Sequence, residues 1–258
     1  STQPKPINVA PENTENRCSE QNGLARVTPR RFRNIGKKSQ VLGHLAAAIS
    51  CTKKAQPTLK ISVIFTTYNA TDWLQKVLWG FHFQTDKDFD IVVADDGSKE
   101  ETAELIEAFK KETHISITHV WQPDDGFQKC RILNKAIQAA KGDYLIMTDG
   151  DCIPRKDFVA VHRREATPGR FLSGGYFKLP IETSRAIHYD DIAHGRCFKK
   201  DWLLNNKLKH TAKLMKLTAH GTKEKLLNRL TPAKRTWNGH NASCWKRIPY
   251  LSTGMMNA

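Results

Sequence analysis

Three absences narrow the field before any motif is read. The six cysteines (Cys18, Cys51, Cys130, Cys152, Cys197 and Cys244) are scattered and include no Cys-x-x-Cys pair, so neither a zinc site nor a disulfide framework is indicated. No apolar run approaches the ~20 residues that span a bilayer. The opening Ser-Thr-Gln-Pro-Lys-Pro also lacks the apolar core of a signal peptide, and a cytosolic protein is expected. Acidic residues are scarce beside basic ones: 26 Asp and Glu against 41 Lys and Arg leave a net charge of +15. Such a surface suits polyanions, whether nucleic acid, anionic headgroups or phosphorylated substrates. The excess lies in two places, around Arg30, Arg31, Arg33, Lys37 and Lys38 and between Arg196 and Lys246. Neither is a stripe of basic residues interleaved with aromatics, which a nucleic-acid groove would need. No nucleic-acid partner is expected.

What the chain does have is room for a core. Its 258 residues, 39% of them hydrophobic, suffice for one large α/β domain or two small ones. Residues 1–58 are polar, with Pro4, Pro6, Pro11 and Pro29, and are expected to form a disordered extension in which 41–49 alone is compatible with a helix. Order is expected from Leu59. Residues 61–67 read as a strand, and Leu74, Val77, Leu78 and Phe81 fall at i, i+3, i+4 and i+7 on one helix face. Phe89 to Ala94 is a second buried strand, closing on Asp95-Asp96-Gly97-Ser98. Ser98 and Glu101 have capping-box spacing, which predicts a helix carrying Leu105, Ile106 and Phe109 inward. A third strand over 115–121, a third helix with Leu133, Ala136, Ile137 and Ala140, and a fourth strand ending at Asp149 follow. Strands alternating with helices imply a mostly parallel sheet, with ligands bound outside its carboxyl edge.

Three polar groups collect at that expected edge: Thr66 to Asn69, Asp95-Asp96, and Asp149-Gly150-Asp151. Residues two apart on a strand face the same side. Two carboxylates there make an oxygen-rich cleft for a hard divalent cation, Mg²⁺ or Mn²⁺, with positions left open for phosphate oxygens. An Asp-Gly-Asp turn in solvent is the simpler alternative for that tripeptide alone. An aspartyl phosphatase also puts Asp-x-Asp at a strand end, but on an early strand and followed by Gly-Thr or Gly-Val; here Cys152-Ile153-Pro154 follows three strand–helix units. Further on, residues 170–178 are strand-like around Gly174-Gly175, and 199–229 are basic and helical in pattern.

In order and spacing, several segments resemble the family-2 glycosyltransferases of the GT-A fold. They are Val63-Ile64-Phe65-Thr66-Thr67-Tyr68-Asn69, Val92 to Ser98, Asp125-Gly126-Phe127 with Arg131 and Asn134, and Thr148-Asp149-Gly150-Asp151-Cys152-Ile153-Pro154. The resemblance covers residues 60–247, and over 121–157 it is strongest to bacterial lipopolysaccharide and capsule enzymes and chondroitin-polymerase domains. It implies a mostly parallel central sheet flanked by helices, a nucleotide-sugar half over 59–157 and an acceptor-side half over 158–258. It also implies a donor such as a UDP-hexose, a Mn²⁺ or Mg²⁺ ion held by the DXD motif, and a bacterial surface glycan or lipid-linked glycan as acceptor. The enzyme would sit in the cytoplasm, with peripheral contact at the inner face of the plasma membrane.

Roles follow from the same resemblance. Thr66, Tyr68 and Asn69 would border the nucleoside, Asp95 or Asp96 would accept hydrogen bonds from uracil or ribose, and Arg131 would approach the base or the acidic pair. Asp151 would ligate the metal, with Asp149 on the ribose or the metal's water shell. Trp237, His240, Asn241 and Trp245 would lie on the acceptor side, in a segment similar to the family's Gly-x-Asn-Met-x-Phe-Trp. Inversion at the anomeric carbon needs a general base, which the family places in an acidic motif after that segment. No acidic residue follows Asn238; Gly254-Met255-Met256-Asn257 stands where the motif belongs. A chain cut short near its end is expected, or a base elsewhere, with Asp190 and Asp191 as weak candidates. A donor-binding but inactive module is the alternative.

Overall fold

The computed structural model describes residues 59–208, Leu214 and residues 237–247. The expected N-terminal extension lies outside the described residues, as do most of the basic stretch 199–229 and the segment after Arg247.

Four strands, β1 (Ile61–Thr67), β2 (Phe89–Asp95), β3 (Ile117–Trp121) and β4 (Tyr144–Asp149), alternate with helices α1 (Thr71–His82), α2 (Glu100–Glu112) and α3 (Lys129–Ala139). After them come α4 (Phe158–Glu165), a short β5 (Leu172–Ser173), α5 (Ile181–Arg185), α6 (Tyr189–Ala193), a 3₁₀ turn (Arg196–Phe198), α7 (Lys200–Asn205) and β6 (Asn241–Trp245). The sheet order is β3-β2-β1-β4-β6-β5. The first four strands are mutually parallel, while β6 runs antiparallel to both β4 and β5. This is the mostly parallel α/β sheet that the strand–helix alternation predicts.

Strand alternation sorts the core into two layers. Ile61, Val63 and Phe65 of β1 join Ile91, Val93, Tyr144 and Ile146 beneath α1, α2 and α4. Ile64, Val92, Ala94, Leu145 and Met147 face the other way, onto Ile132 and Ala136 of α3. Both faces are covered, which is why these strands read as nearly unbroken apolar runs. Leu74, Val77, Leu78 and Phe81 of α1 are all fully buried, and Phe81 stacks on Phe65 with ring centroids 5.6 Å apart.

Local expectations fare unevenly. The capping box at Ser98 is not formed: α2 begins after Lys99 with no side-chain cap, because the Ser98 hydroxyl accepts the Asn69 amide at 2.9 Å. On α3 the buried face is Ile132 and Ala136, with Leu133 and Ile137 at its flanks. Of the strand expected over 170–178, Leu172 and Ser173 alone pair.

The antiparallel addition is fastened by a buried polar chain. Tyr144 Oη and Ser243 Oγ are 2.7 Å apart, Ser243 Oγ is 2.7 Å from His162 Nδ1, and His162 Nε2 is 3.1 Å from Asn241 Oδ1. Asn241 Nδ2 in turn donates to the Gly175 carbonyl at 2.8 Å. The amide orientation orders the protons: Nε2 donates to Asn241, Nδ1 accepts from Ser243, and Ser243 accepts from Tyr144. A charged imidazole would have to donate at both nitrogens and break this order.

Burial, only partly opposed by the Asn241 bond, pushes the His162 pKa down to about 4 from an ordinary 6.5. Between those values the unfolded chain binds the extra proton, so stability falls as the pH drops from 6.5 towards 4 and is flat on either side. The fall attributable to His162 is expected to be on the order of 3 kcal/mol at most. Chemical denaturation at a series of pH values should show this slope in the parent protein and lose it in His162→Gln.

Candidate functional site

The register brings the polar groups level. Thr66 pairs with Ala94 on one side and Asp149 on the other, and Thr67 pairs with Asp95. The carboxyl ends of β2, β1 and β4 thus form one edge. There the Gly150 amide donates to the Thr66 carbonyl at 2.9 Å, and a side chain at Gly150 would collide with that same oxygen. The turn after β4 is drawn tight against β1 and leaves Asp151 exposed at the rim.

Asp149, Asp151 and Cys152 each offer one atom within 4.8 Å of the others. Burial first, and then the charges of Asp151 and Asp149, push the Cys152 thiol far above its ordinary range. A thiol held protonated is a poor nucleophile. The two carboxylates, one half-exposed and one exposed, are the hard donors of this group. That set fits a hard divalent cation holding further oxygen ligands from elsewhere. Asp151 and Asp149 are the residues that would hold it.

Asp95 and Asp96 both have partners within the protein. Asp95 is 1% exposed, with Oδ1 accepting the Ser98 amide at 2.8 Å and Oδ2 2.9 Å from His119 Nε2. Asp96 is 6% exposed, with Oδ1 accepting Gln122 Nε2 at 2.6 Å and Oδ2 accepting the Gln128 amide at 2.9 Å. Every carboxylate oxygen is engaged within the protein. Each oxygen makes one such bond, and a carboxylate oxygen can accept a second. His119, Gln122 and Gln128 escaped the sequence reading, since nothing in their spacing links them to the aspartates.

Asn69 sits at a left-handed φ of 46°, tolerable for asparagine, and its Oδ1 accepts the Lys99 amide at 2.9 Å. The first and second strand ends are thereby tied together. Tyr68 is half-exposed and donates to Asp124 Oδ2 at 2.8 Å, and that bond, followed by the Asp124 charge, raises its pKa. Gly97, at φ 95°, makes room for the Asp124 backbone, which a Cβ would meet at 2.5 Å. Thr66 on β1 and the exposed Tyr68 just after it lie at this carboxyl edge.

Arg131 is exposed on α3. The cation that reaches the acidic pair is Lys129, whose Nζ lies 2.8 Å from Asp149 Oδ1. His240 also faces this cluster. Burial holds its pKa below the usual histidine range, Lys129 pushes the same way, and Asp149 and Asp151 oppose. Its ring packs edge-on against Tyr176 at 4.2 Å, and its carbonyl accepts the Thr148 hydroxyl at 2.9 Å.

The other acceptor-side candidates make contacts within the fold. Trp245 pairs with Tyr144 at the amino end of β4, packs edge-on against it at 5.4 Å, and belongs to the core away from the carboxyl edge. Asn241 is spent on His162 and Gly175, and Trp237 packs on Phe171 at 5.8 Å beside the α3 layer. The weak base candidates part company. Asp191 is buried, which by itself would raise its pKa, but bonds from Arg196 Nε at 2.9 Å and Trp202 Nε1 at 3.0 Å, with the His188 amide at 3.1 Å, bring it below the usual carboxylate range. It closes the capping box of α6. Asp190 is exposed beside it.

Residues 62–237 match the family described as Glycosyl transferase family 2. The chain belongs to that family. Among similar proteins are the glycosyltransferase YfnE of Bacillus subtilis, 34% identical over 105 residues, and the chondroitin synthase of Escherichia coli, 37% identical over 95 residues. These matches cover 40% and 36% of this chain but 26% and 14% of those proteins. The chain therefore spans about a quarter or less of the relatives' own length. A mannosyltransferase from Pyrobaculum calidifontis, solved with GDP-Man and Mn²⁺, is 27% identical with a TM-score of 0.38, covering 42% of this chain and 32% of its own. Staphylococcus aureus TarS 1–349, solved with UDP-GlcNAc, is 20% identical with a TM-score of 0.37, over 48% and 38%.

In this family-2 glycosyltransferase the Asp96 carboxylate anchors the start of α3. Asp96→Ala strands a partly buried amide and a buried glutamine, and is expected to destabilise the fold by about 3 kcal/mol. Urea denaturation measures it, with Asp151→Ala as the exposed-carboxylate comparison, expected to stay within about 0.5 kcal/mol of the parent.

Proposed function

We propose that the chain transfers a sugar from a nucleotide-diphosphate donor, a UDP-hexose, to a glycan acceptor with inversion at the anomeric carbon. The observation carrying this reading is the pair Asp149 and Asp151, converging at the carboxyl edge of a parallel sheet, where Thr66 and Tyr68 also lie. A Mn²⁺ or Mg²⁺ ion on that pair would supply Lewis-acid stabilisation of the departing diphosphate. In the displacement the acceptor oxygen bonds to the anomeric carbon. The bond from that carbon to the diphosphate breaks with its electron pair, and the acceptor's hydroxyl proton passes to a base.

A polysaccharide acceptor is supported by relatives named chondroitin synthase and hyaluronan synthase, of which the matched part is 14% and 10%. A cytoplasmic site at the inner membrane face completes the proposal; the surplus of basic residues between Arg196 and Lys246 supports it. Among the described residues, no helix is long and apolar enough to cross a membrane. The bonds from Arg196 and Trp202 to Asp191 weaken its case as the base, which favours, as a second reading, a domain that binds donor without turning it over.

Calorimetry with UDP, with and without Mn²⁺, tests the donor site. Binding is expected to require Mn²⁺ and to weaken at least about tenfold, some 1.4 kcal/mol, in Asp151→Ala. Metal-independent binding would remove the metal from the proposal, and no UDP binding would overturn the donor. Release of UDP from a UDP-sugar in the presence of acceptor separates turnover from binding alone.

A further inference from the structure

Lys129 stands where a lysine is out of place. It is the first residue of α3, an 11-residue helix with no acidic residue in its first turn, whereas α1 and α2 open with Asp72 and with Glu100 and Glu101. The amino end of a helix carries partial positive charge, so a cation there is disfavoured and anions are drawn to it. Its backbone cannot drift away, because the preceding Gln128 amide is held by buried Asp96. From this fixed base the side chain reaches Asp149 Oδ1 at 2.8 Å. Both partners are partly open to solvent, 33% and 27% exposed, so the pair is weak and can be exchanged. A lysine head on a flexible four-carbon stem moves between partners at little expense.

We propose that Lys129 is an exchangeable cation of the donor site: it neutralises Asp149 in the empty protein and turns to the donor's diphosphate when a divalent cation takes Asp149. This rests on the donor-site reading above and goes beyond it in assigning to Lys129 the diphosphate contact, while Arg131, two residues along the helix, points to solvent. The exchange has two opposed consequences. Lys129 competes with a divalent cation when no nucleotide is present, and it strengthens nucleotide binding once the cation is in place.

The test uses the full chain, Lys129→Met and Lys129→Arg, with Mn²⁺ alone followed by electron paramagnetic resonance, and UDP at saturating Mn²⁺ followed by calorimetry. Lys129→Met is expected to bind Mn²⁺ alone about two- to fivefold more tightly, the size of an exposed ion pair. The same variant is expected to bind UDP about tenfold or more weakly, the size of a charged hydrogen bond. Lys129→Arg should stay near the parent in both. Thermal unfolding checks that the methionine variant is folded, as a partly exposed side chain predicts. If the parent binds UDP with Mn²⁺ and the methionine variant matches it in either measurement, the exchange is wrong and the donor site stands. If the parent binds no UDP, the donor-site reading fails, and the exchange with it.

Discussion

At the end of β2 a single buried carboxylate holds two separate segments in place. Asp96 takes Gln122 on one oxygen and the Gln128 amide on the other, so the chain leaving β3 and the chain entering α3 are both tied to the second strand. Asp95, its neighbour, holds the Ser98 turn and His119 of β3. Remove these bonds and Lys129 has no fixed origin, Asp124 no reason to meet Tyr68, and the rim loses its shape. Buried carboxylates are retained only where such hydrogen bonds compensate their desolvation. The aspartates at the end of β2 and those at the end of β4 therefore differ in their surroundings. The first pair is buried and bonded at each oxygen, whereas Asp149 is partly exposed beside Lys129 and Asp151 stands at the rim.

The far side of the sheet uses the same logic without charge. β6 joins a parallel sheet in the opposite direction, through the ordered run of donors from Tyr144 by way of Ser243 and His162 to Asn241 and the Gly175 carbonyl. Because Asn241 begins β6 and Trp245 ends it, one strand links the acidic rim to the floor of the core. The His240 carbonyl, bonded to the Thr148 hydroxyl one residue before Asp149, registers the segment entering β6 against the end of β4. A polar chain of this kind specifies one pairing register, since any slip leaves several buried groups unpaired.

Family-2 membership and the arrangement of the edge bear on different parts of the chemistry. Membership places residues 62–237 in the family described as Glycosyl transferase family 2. The edge adds where the carboxylates of the candidate metal group stand: Asp149 paired with Lys129, and Asp151 at the rim. Asp191 is the contrast, an acidic residue in a suggestive place whose oxygens already serve Arg196, Trp202 and its own helix.

Periodicity and composition determined much by themselves. The β1, β2 and β4 runs, the Leu74–Phe81 face of α1, the parallel sheet and the placing of three polar groups at its carboxyl edge were all legible, because apolar repeats of two and of 3.6 residues are local signals. The family was legible too, from motifs in order. Tertiary structure alone decided which polar side chains are occupied. Asp95 and Asp96 look as available in sequence as Asp149 and Asp151, and Ser98 looks like a helix cap until Asn69 claims it. Trp245 reads as part of a site and packs in the core, while Lys129, 20 residues from Asp149 in the chain, becomes its ion-pair partner. The physical reason is common to all four. A hydrogen bond or ion pair between distant segments depends on where folding puts them, and no local pattern in the chain encodes that distance.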